Sequence, residues 1–447
     1  MATGTGKTIT ALYSLEEFER EHGNIGIFVI CPYVHLVDQW AEEIEDWGAV
    51  PILAYSDSPD KRWYNTLVKR YKQFRSSGKS FACLMTNGTF VTEKVQELIN
   101  DIKQEMNIVF VADEAHNVGA EKFSKILPNN INYRLALSAT VERHGDKKGT
   151  EILYHYFGNK CIEYSLAKAI EEGALTQYEY YPIVVNLNFE ELAEYKRLTR
   201  EIGKYIVISK NNKRKISDTG QQLLFKRSRL VAGAESKIEA FKEEFTPYRD
   251  KKNILVYCGA TRGFENYTGQ KERQIDRIDK IIGNEFHASV HQFTSEEDAD
   301  MRRRLKNAFA DGEIQVLTAI KCLDEGMNIP NIHTAFILAS SRNPKEFIQR
   351  RGRVLRRAKG KNRAEIYDFV TIPKPLYRVT PDDFESDRAL IIGEMARIYE
   401  FGKYSIKSRK AMEVLEQISD AYGLVLDYED LAEMMKGEYG VDVTEGC

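Results

Sequence analysis

Short apolar runs alternate with amphipathic stretches along the first part of the chain. The runs "IGIFVICP", "FACLMT", "NIVFVADE" and "YRLALSAT" are bounded by polar or turn-forming residues. Between the first two, "HLVDQWAEEIEDWG" places Leu36, Trp40, Ile44 and Trp47 on one face of a helix. Apolar runs of strand length separated by helical patterns predict parallel strands joined by crossover helices, hence an α/β sheet, with both tryptophans read as core. From about Asn188 to Tyr248 the pattern becomes long, charged and helical, which predicts a connector or insertion. A second alternating series follows in "NILVYCG", "ASVHQF", "IQVLTA", "TAFILAS" and "AEIYDFV". Inside it, "TSEEDADMRRRLKNAFADG" opens with the capping pair Thr294 and Glu297, carries Met301, Leu305 and Ala308 on one face, and stops near Gly312. After Pro373 the pattern is helical again, and no repeat of fixed period is present.

Length changes this picture only by adding that 447 residues call for two cores rather than one. With 43% apolar and 29% charged residues the chain reads as soluble and globular, and no apolar run approaches the ~20 residues that span a bilayer. The absence of a basic segment followed by an apolar stretch at the start leads to the expectation of a cytoplasmic protein. The cysteines Cys31, Cys83, Cys161, Cys258, Cys322 and Cys447 have no paired spacing and read as reduced thiols. His287 and His291 stand at a helix-like ligand spacing, but the surrounding "FHASVHQF" alternates as a strand does. Net charge is −3, which excludes a uniformly basic nucleic-acid coat, yet basic clusters stand at "KRYKQFRSSGK", "KNNKRK" and "RRGRVLRRAKGKNR".

The chemistry begins at "MATGTGKT". Gly4 and Gly6 allow backbone amides to turn toward phosphates, Thr3 and Thr5 complete the loop, Lys7 reaches the β and γ oxygens, and the Thr8 hydroxyl can ligate Mg²⁺. The strict pattern has glycine where Met1 stands. Downstream, "NIVFVADEAH" delivers Asp113 and Glu114 from the carboxyl end of an apolar strand, where ligands of open α/β sheets sit. One carboxylate there can hold Mg²⁺, and its neighbour can orient and deprotonate water for attack on the γ-phosphoryl group.

Taken in order, "ATGTGKT", "DEAH" at Asp113 to His116, "SAT" at Ser138 to Thr140 and "QRRGRVLR" at Gln349 to Arg356 resemble motifs I, II, III and VI of the superfamily 2 helicases and translocases. The branch they resemble most holds transcription-repair helicases and restriction-enzyme motor subunits. This resemblance implies two RecA-like parallel-sheet domains in tandem, at residues 1–180 and 251–373. A helical connector would fill 181–250 and a helical C-terminal extension 374–447. It also implies ATP and Mg²⁺ as cofactors. Lys7 and Thr8 would bind the triphosphate and its metal, Asp113 would hold the metal through water, and Glu114 would be the catalytic base. His116, Ser138 and Thr140 would couple nucleotide state to domain movement. Arg353 and Arg356 would be arginine fingers, with Gln349 close to the nucleotide, while Arg350, Arg351, Arg357 and Lys359 read as a solvated face. Segments resembling motifs Ia, IV and V imply nucleic-acid contacts at Pro32, Thr86, Thr318 and Gly326; Asn328 departs from the aspartate many relatives carry.

Relatives have a strand leading into the phosphate loop, and none precedes Met1 here. The expectation is therefore a chain begun at an internal methionine, with the first strand of the first domain missing. Mass spectrometry finding Met1 as the native terminus of a stable, ATP-hydrolysing chain would refute it. The leading functional expectation is an ATP-dependent helicase or translocase on DNA, with RNA as the alternative track and a nuclease or other subunit as partner. The competing one is a nucleotide-dependent clamp that does not unwind.

Overall fold

A computed structural model describes residues 1–141, 146–208, 214–259, 272–294, 297, 299–320, 329, 331–340 and 344–425. It divides into two units, Met1–Ala169 and Ile170–Cys447.

The first unit runs α1 (Lys7–His22), β1 (Gly26–Cys31), α2 (Val34–Asp46), β2 (Ile52–Ala54), α3 (Trp63–Ser77), β3 (Phe81–Thr86), α4 (Asn87–Phe90), α5 (Glu93–Asn100), β4 (Ile108–Ala112), α6 (Glu121–Ser124), β5 (Tyr133–Ala136) and α7 (Lys147–Phe157). A further helix, α8 (Leu166–Glu171), carries the chain into the second unit. The strands form one parallel sheet in the order β2-β3-β1-β4-β5. Side chains of successive strand residues point to opposite faces. Phe28, Ile30, Cys83 and Phe110 therefore meet α3 through Leu67, Tyr71 and Phe74, while Val29, Leu84 and Val111 meet α1 and α2 through Leu15, Val37 and Trp40. Helices on both faces explain why these strands read as continuous apolar runs. The register pairs Cys31 with Thr86 and Ile30 with Ala112. Pro32, Thr86, Asp113 and Ser138 thus line up along one carboxyl edge.

The second unit continues with β6 (Gln177–Asn186), α9 (Phe189–Lys204), β7 (Ile206–Ile208), β8 (Arg214–Ile216), α10 (Asp218–Ala232), α11 (Ser236–Phe245), β9 (Ile254–Tyr257), α12 (Gln274–Lys280), β10 (Val290–Phe293), α13 (Ala299–Ala310), β11 (Val316–Ala319), β12 (Thr334–Ile337), α14 (Pro344–Val354), β13 (Arg363–Ile372), α15 (Phe384–Gly402) and α16 (Ser408–Tyr422). Its main sheet is parallel, in the order β10-β11-β9-β12-β13-β6. His291 sits in β10, as the alternating pattern around it predicts.

The structure revises the expected division of the chain. Residues 181–250 are not a separate connector: β6 pairs with β13 along its whole length, and α11 sends Ile238, Phe241 and Phe245 into the core beneath β9 and β12. Only α9 and α10, with the two-stranded β7-β8 ribbon between them, form a helical excursion. The strand escaped the sequence reading because "QYEYYPIVVN" carries Gln177, Glu179 and Pro182, which look foreign to a buried strand and are tolerated at the margin of a sheet. The C-terminal helices are likewise part of the second unit. Residues between α15 and α16 cover the outer margin of β6: Ile406 N–H donates to Tyr178 O (2.9 Å), and Tyr180 N–H to Ser405 Oγ (3.0 Å). Beneath them Arg397 on α15 bridges Asp368 (2.8 Å) on β13 and Glu394 (2.6 Å), and Tyr180 donates to the same Asp368 carboxylate (2.8 Å). No helix among the described residues is long and apolar enough to cross a membrane.

Candidate functional site

The phosphate loop owes its shape to its glycines. Gly4 and Gly6 have φ of 83° and 82°, the left-handed region where a side chain is strained, and α1 starts at the next residue, Lys7. Thr5 Oγ1 closes the turn by donating to Ala2 O (2.7 Å). No side chain caps the helix, so its first amides point out of the loop, the arrangement that receives an anion. Thr3 is buried and its hydroxyl has no protein partner. Thr8 follows in the first turn of α1, half-buried.

Across the carboxyl edge, β4 delivers Asp113, 6% exposed, and Glu114, whose backbone is left-handed at φ 45°. Lys7 Nζ lies 3.6 Å from Glu114 Oε1, and His116 Nδ1 lies 3.5 Å from Glu114 Oε2. The His116 ring nitrogen also meets Ser138 Oγ at 3.2 Å, and Ser138 Oγ donates to Thr140 O (2.6 Å). The residues expected to bind phosphate, act as base and couple the site to movement therefore form one chain of contacts. Asp113 accepts from the Glu114 N–H (2.8 Å) on one oxygen and from the Trp40 indole N–H (2.9 Å) on the other. Burial, and then the Glu114 charge, push the Asp113 carboxyl above its usual range; Lys7 and the Trp40 donor work against that.

Of the expected nucleic-acid contacts, Pro32 and Thr86 stand at the ends of neighbouring strands β1 and β3, on the side of the sheet away from β5. The Thr86 hydroxyl caps α4 by accepting from Thr89 N–H (3.2 Å). Thr318 is wholly buried in β11 and donates to Asp279 on α12 (2.7 Å), so its side chain is committed to packing rather than offered to a ligand. Gly326 and Asn328 lie outside the described residues.

In the second unit, Gln349 and Arg353 are one helical turn apart on α14, and Arg356 follows just past its end. Arg353 is 5% exposed. Burial, and next the like charge of Arg353, bring the Arg356 guanidinium down to about 10. Two guanidinium groups held together in a poorly hydrated place are a site that an anion would stabilise. Arg350 and Arg351 correct the expectation of a solvated face. Arg350 donates to Ala339 O (2.6 Å) and lies 4.9 Å above the Tyr257 ring; Arg351 binds Glu400 on α15 (2.7 Å) and lies over Phe401. Both fix α14 in place, whereas Arg357 and Lys359 are exposed as expected.

The family described as "Type III restriction enzyme, res subunit" matches residues 1–143, and "Helicase conserved C-terminal domain" matches residues 236–358, together more than half of the chain. The chain belongs to superfamily 2 of the helicases and translocases. It is 24% identical over 403 residues to "DNA 3'-5' translocase XPB2" of Sulfurisphaera tokodaii, covering 85% of this chain and 79% of that protein. It is 22% identical to "Putative helicase 22" of a Sulfolobus islandicus filamentous virus, spanning 82% of this chain and 59% of the viral protein. A solved structure, "ATP-dependent Type ISP restriction-modification enzyme LlaBIII bound to DNA", shares the fold at a TM-score of 0.56 and 14% identity, with 98% of this chain matching 31% of that one. This superfamily 2 chain is accordingly an ATP-hydrolysing enzyme of the helicase type, an ATP-dependent translocase on nucleic acid.

The donor set suits a nucleotide with its divalent ion. Left-handed glycines, an unpartnered buried hydroxyl, a lysine and paired carboxylates supply phosphate donors and hard oxygen ligands. One participant escaped the sequence reading. The spacing along α2 predicts both tryptophans in the core: Trp47 is exposed, whereas Trp40 does lie there at 0% exposure and its indole also holds Asp113. Only the alternation that makes α2 face the sheet hinted at this; the partner lies 73 residues away.

Proposed function

We propose that this chain hydrolyses ATP with Lys7 and Thr8 on the triphosphate and its Mg²⁺, Asp113 beside the metal, and Glu114 as the base that activates water, and that it spends this hydrolysis on movement along DNA. The observation that carries the reading is Glu114 suspended between Lys7 and His116, with His116 passed on to Ser138. A carboxylate so held reports the state of the phosphate loop to the loop after β5, which is what coupling requires. When bound, Mg²⁺ would neutralise the phosphate oxygens, and this chain's residues orient the nucleophile around it. The role of arginine finger falls in this reading to Arg353 and Arg356, two guanidinium groups held together in the second unit. DNA is favoured as the track by the translocase named above and by the DNA-bound restriction enzyme of the same fold. The restriction enzyme of the same fold favours a nuclease-bearing partner.

The test is ATP hydrolysis by the purified chain with no polymer, single-stranded DNA, duplex DNA or RNA, beside Glu114→Gln. Stimulation by DNA, lost by about a hundredfold or more in the variant, is the expected result. Stimulation by RNA alone would reassign the track. Tight, ATP-dependent DNA binding without turnover would favour the clamp instead.

A further inference from the structure

Between Lys61 and Lys79 the chain holds seven basic residues and no acidic one, although over its whole length acidic residues outnumber basic ones, 67 to 64. The structure places most of this stretch on α3. The apolar side of that helix, Leu67, Tyr71 and Phe74, is sunk in the core. Its other side carries a shallow groove of about 600 Å³ lined by Tyr64, Val68, Lys69, Lys72 and Gln73. Lys61, Arg62, Lys69, Lys72 and Lys79 are exposed around it.

The helix has a direction. It follows β2 and precedes the parallel strand β3, so its first turn lies at the carboxyl edge of the sheet, where Thr86 stands, and the rest runs back from that edge. The first turn is tied to the neighbouring α5: Tyr64 OH donates to Lys94 O (2.9 Å), and Lys94 Nζ sits 4.4 Å and 5.2 Å from the Trp63 and Tyr64 ring centroids. Lys94 thereby joins the basic face at its upper end. Among the described residues, the acidic groups on this side include Asp101, which is engaged by Arg75 (3.1 Å), Glu93 and Glu97 on α5, and Asp60 just before α3, whose carboxylate accepts from Arg62 N–H and the Thr66 hydroxyl (2.8 Å each). The lysines of the groove itself have no acidic neighbour on their own helix.

A helix face with one sign of charge repels itself, and packing does not require it, since the buried side of α3 is apolar throughout. A row of phosphates relieves that repulsion. The helix is 15 residues long, roughly 22 Å at ~1.5 Å per residue, which is about six phosphate intervals of one duplex strand at ~3.4 Å each.

We propose that the exposed face of α3, with Lys94, is a second nucleic-acid contact surface that holds the phosphate backbone of the track where it leaves the carboxyl edge of the first sheet. This rests on the functional reading above, and adds a surface that none of the helicase motifs contains. Such contacts are independent of base sequence and strongly dependent on salt. Tyr64 and Val68 form a floor against which sugar edges can lie.

The test uses the full chain carrying Lys69→Gln, Lys72→Gln and Lys94→Gln together, with duplex DNA of about 40 base pairs titrated across a range of salt. If each lysine meets a phosphate, the slope of log affinity against log salt becomes shallower by roughly 2 to 3, at about 0.9 per duplex contact, or about 0.7 per contact on a single strand. Affinity falls at least fivefold at low salt, while ATP hydrolysis without nucleic acid is unchanged. The Lys→Arg triple variant keeps the wild-type slope. An unchanged slope and affinity in the Gln variant would overturn the proposal. So would intact DNA binding combined with lost binding to polyglutamate, which would give the face to an acidic protein. If the unaltered chain binds no nucleic acid at all, the functional reading fails, and this surface with it.

Discussion

Trp40 shows how one buried N–H can serve both the core and the chemistry. Its ring fills the space between α2 and the sheet, and its indole nitrogen occupies one oxygen of Asp113. Trp40→Phe keeps the ring and removes the donor. The expected outcome is a loss of about 1–3 kcal/mol in stability, because a buried acceptor loses its partner. With the carboxylate no longer held, the Mg²⁺ needed for half-maximal nucleotide binding should rise several-fold while affinity for metal-free nucleotide stays the same. Fluorescent-nucleotide titrations with and without Mg²⁺ separate the two. Equal changes in both would mean that Trp40 acts through packing alone.

The end of α14 presents a second arrangement, in which one side chain serves a whole element. Lys361 is 7% exposed and donates to Val354 O and to Arg356 O (3.0 Å), which closes the carbonyl end of the helix that carries Gln349 and Arg353. Burial brings its ammonium down to about 7. Below that pH both folded and unfolded chains are protonated, and the folded state bears the full desolvation cost. As pH rises from about 7 toward the ordinary lysine value the unfolded chain binds more protons than the folded one, so stability rises. Lys361→Met lacks this response. Denaturant melts at pH 7 and pH 9.5 should show the unaltered chain gaining stability relative to the variant, and parallel curves would refute the assignment. The same element shows why Arg350 and Arg351 cannot be read as surface charges: each anchors α14 to a neighbour that only folding brings near.

Each of the two units has its own sheet and its own core. Calorimetry should therefore resolve two unfolding transitions. Arg397, 4% exposed, joins Asp368, Glu394 and the sheet to α15, beside Lys237, whose ammonium burial brings down to about 8. Arg397→Met would strand two buried carboxylates at a cost of about 3–5 kcal/mol. One transition should fall by roughly 10 °C and the other stay where it was. A shift in both, or in neither, would mean that the C-terminal helices do not stabilise the second unit in the way the buried network indicates.

Much of this protein could be read along the chain. The phosphate loop, the Asp113–Glu114 pair and the strands β1, β3, β4, β9 and β11 are written in contiguous residues, because a left-handed turn needs glycine where it occurs and a strand covered on both faces needs an unbroken apolar run. The rest depended on residues far apart. β6 pairs with β13 at a separation of 186 residues, Tyr180 meets Asp368 at 188, and Trp40 meets Asp113 at 73. A margin strand with charged and proline residues, an arginine buried against a distant glutamate, and an indole that holds a carboxylate leave no local pattern. Their stability comes from partners that only the folded chain supplies, so contiguous motifs identified the chemistry while tertiary structure decided what holds it.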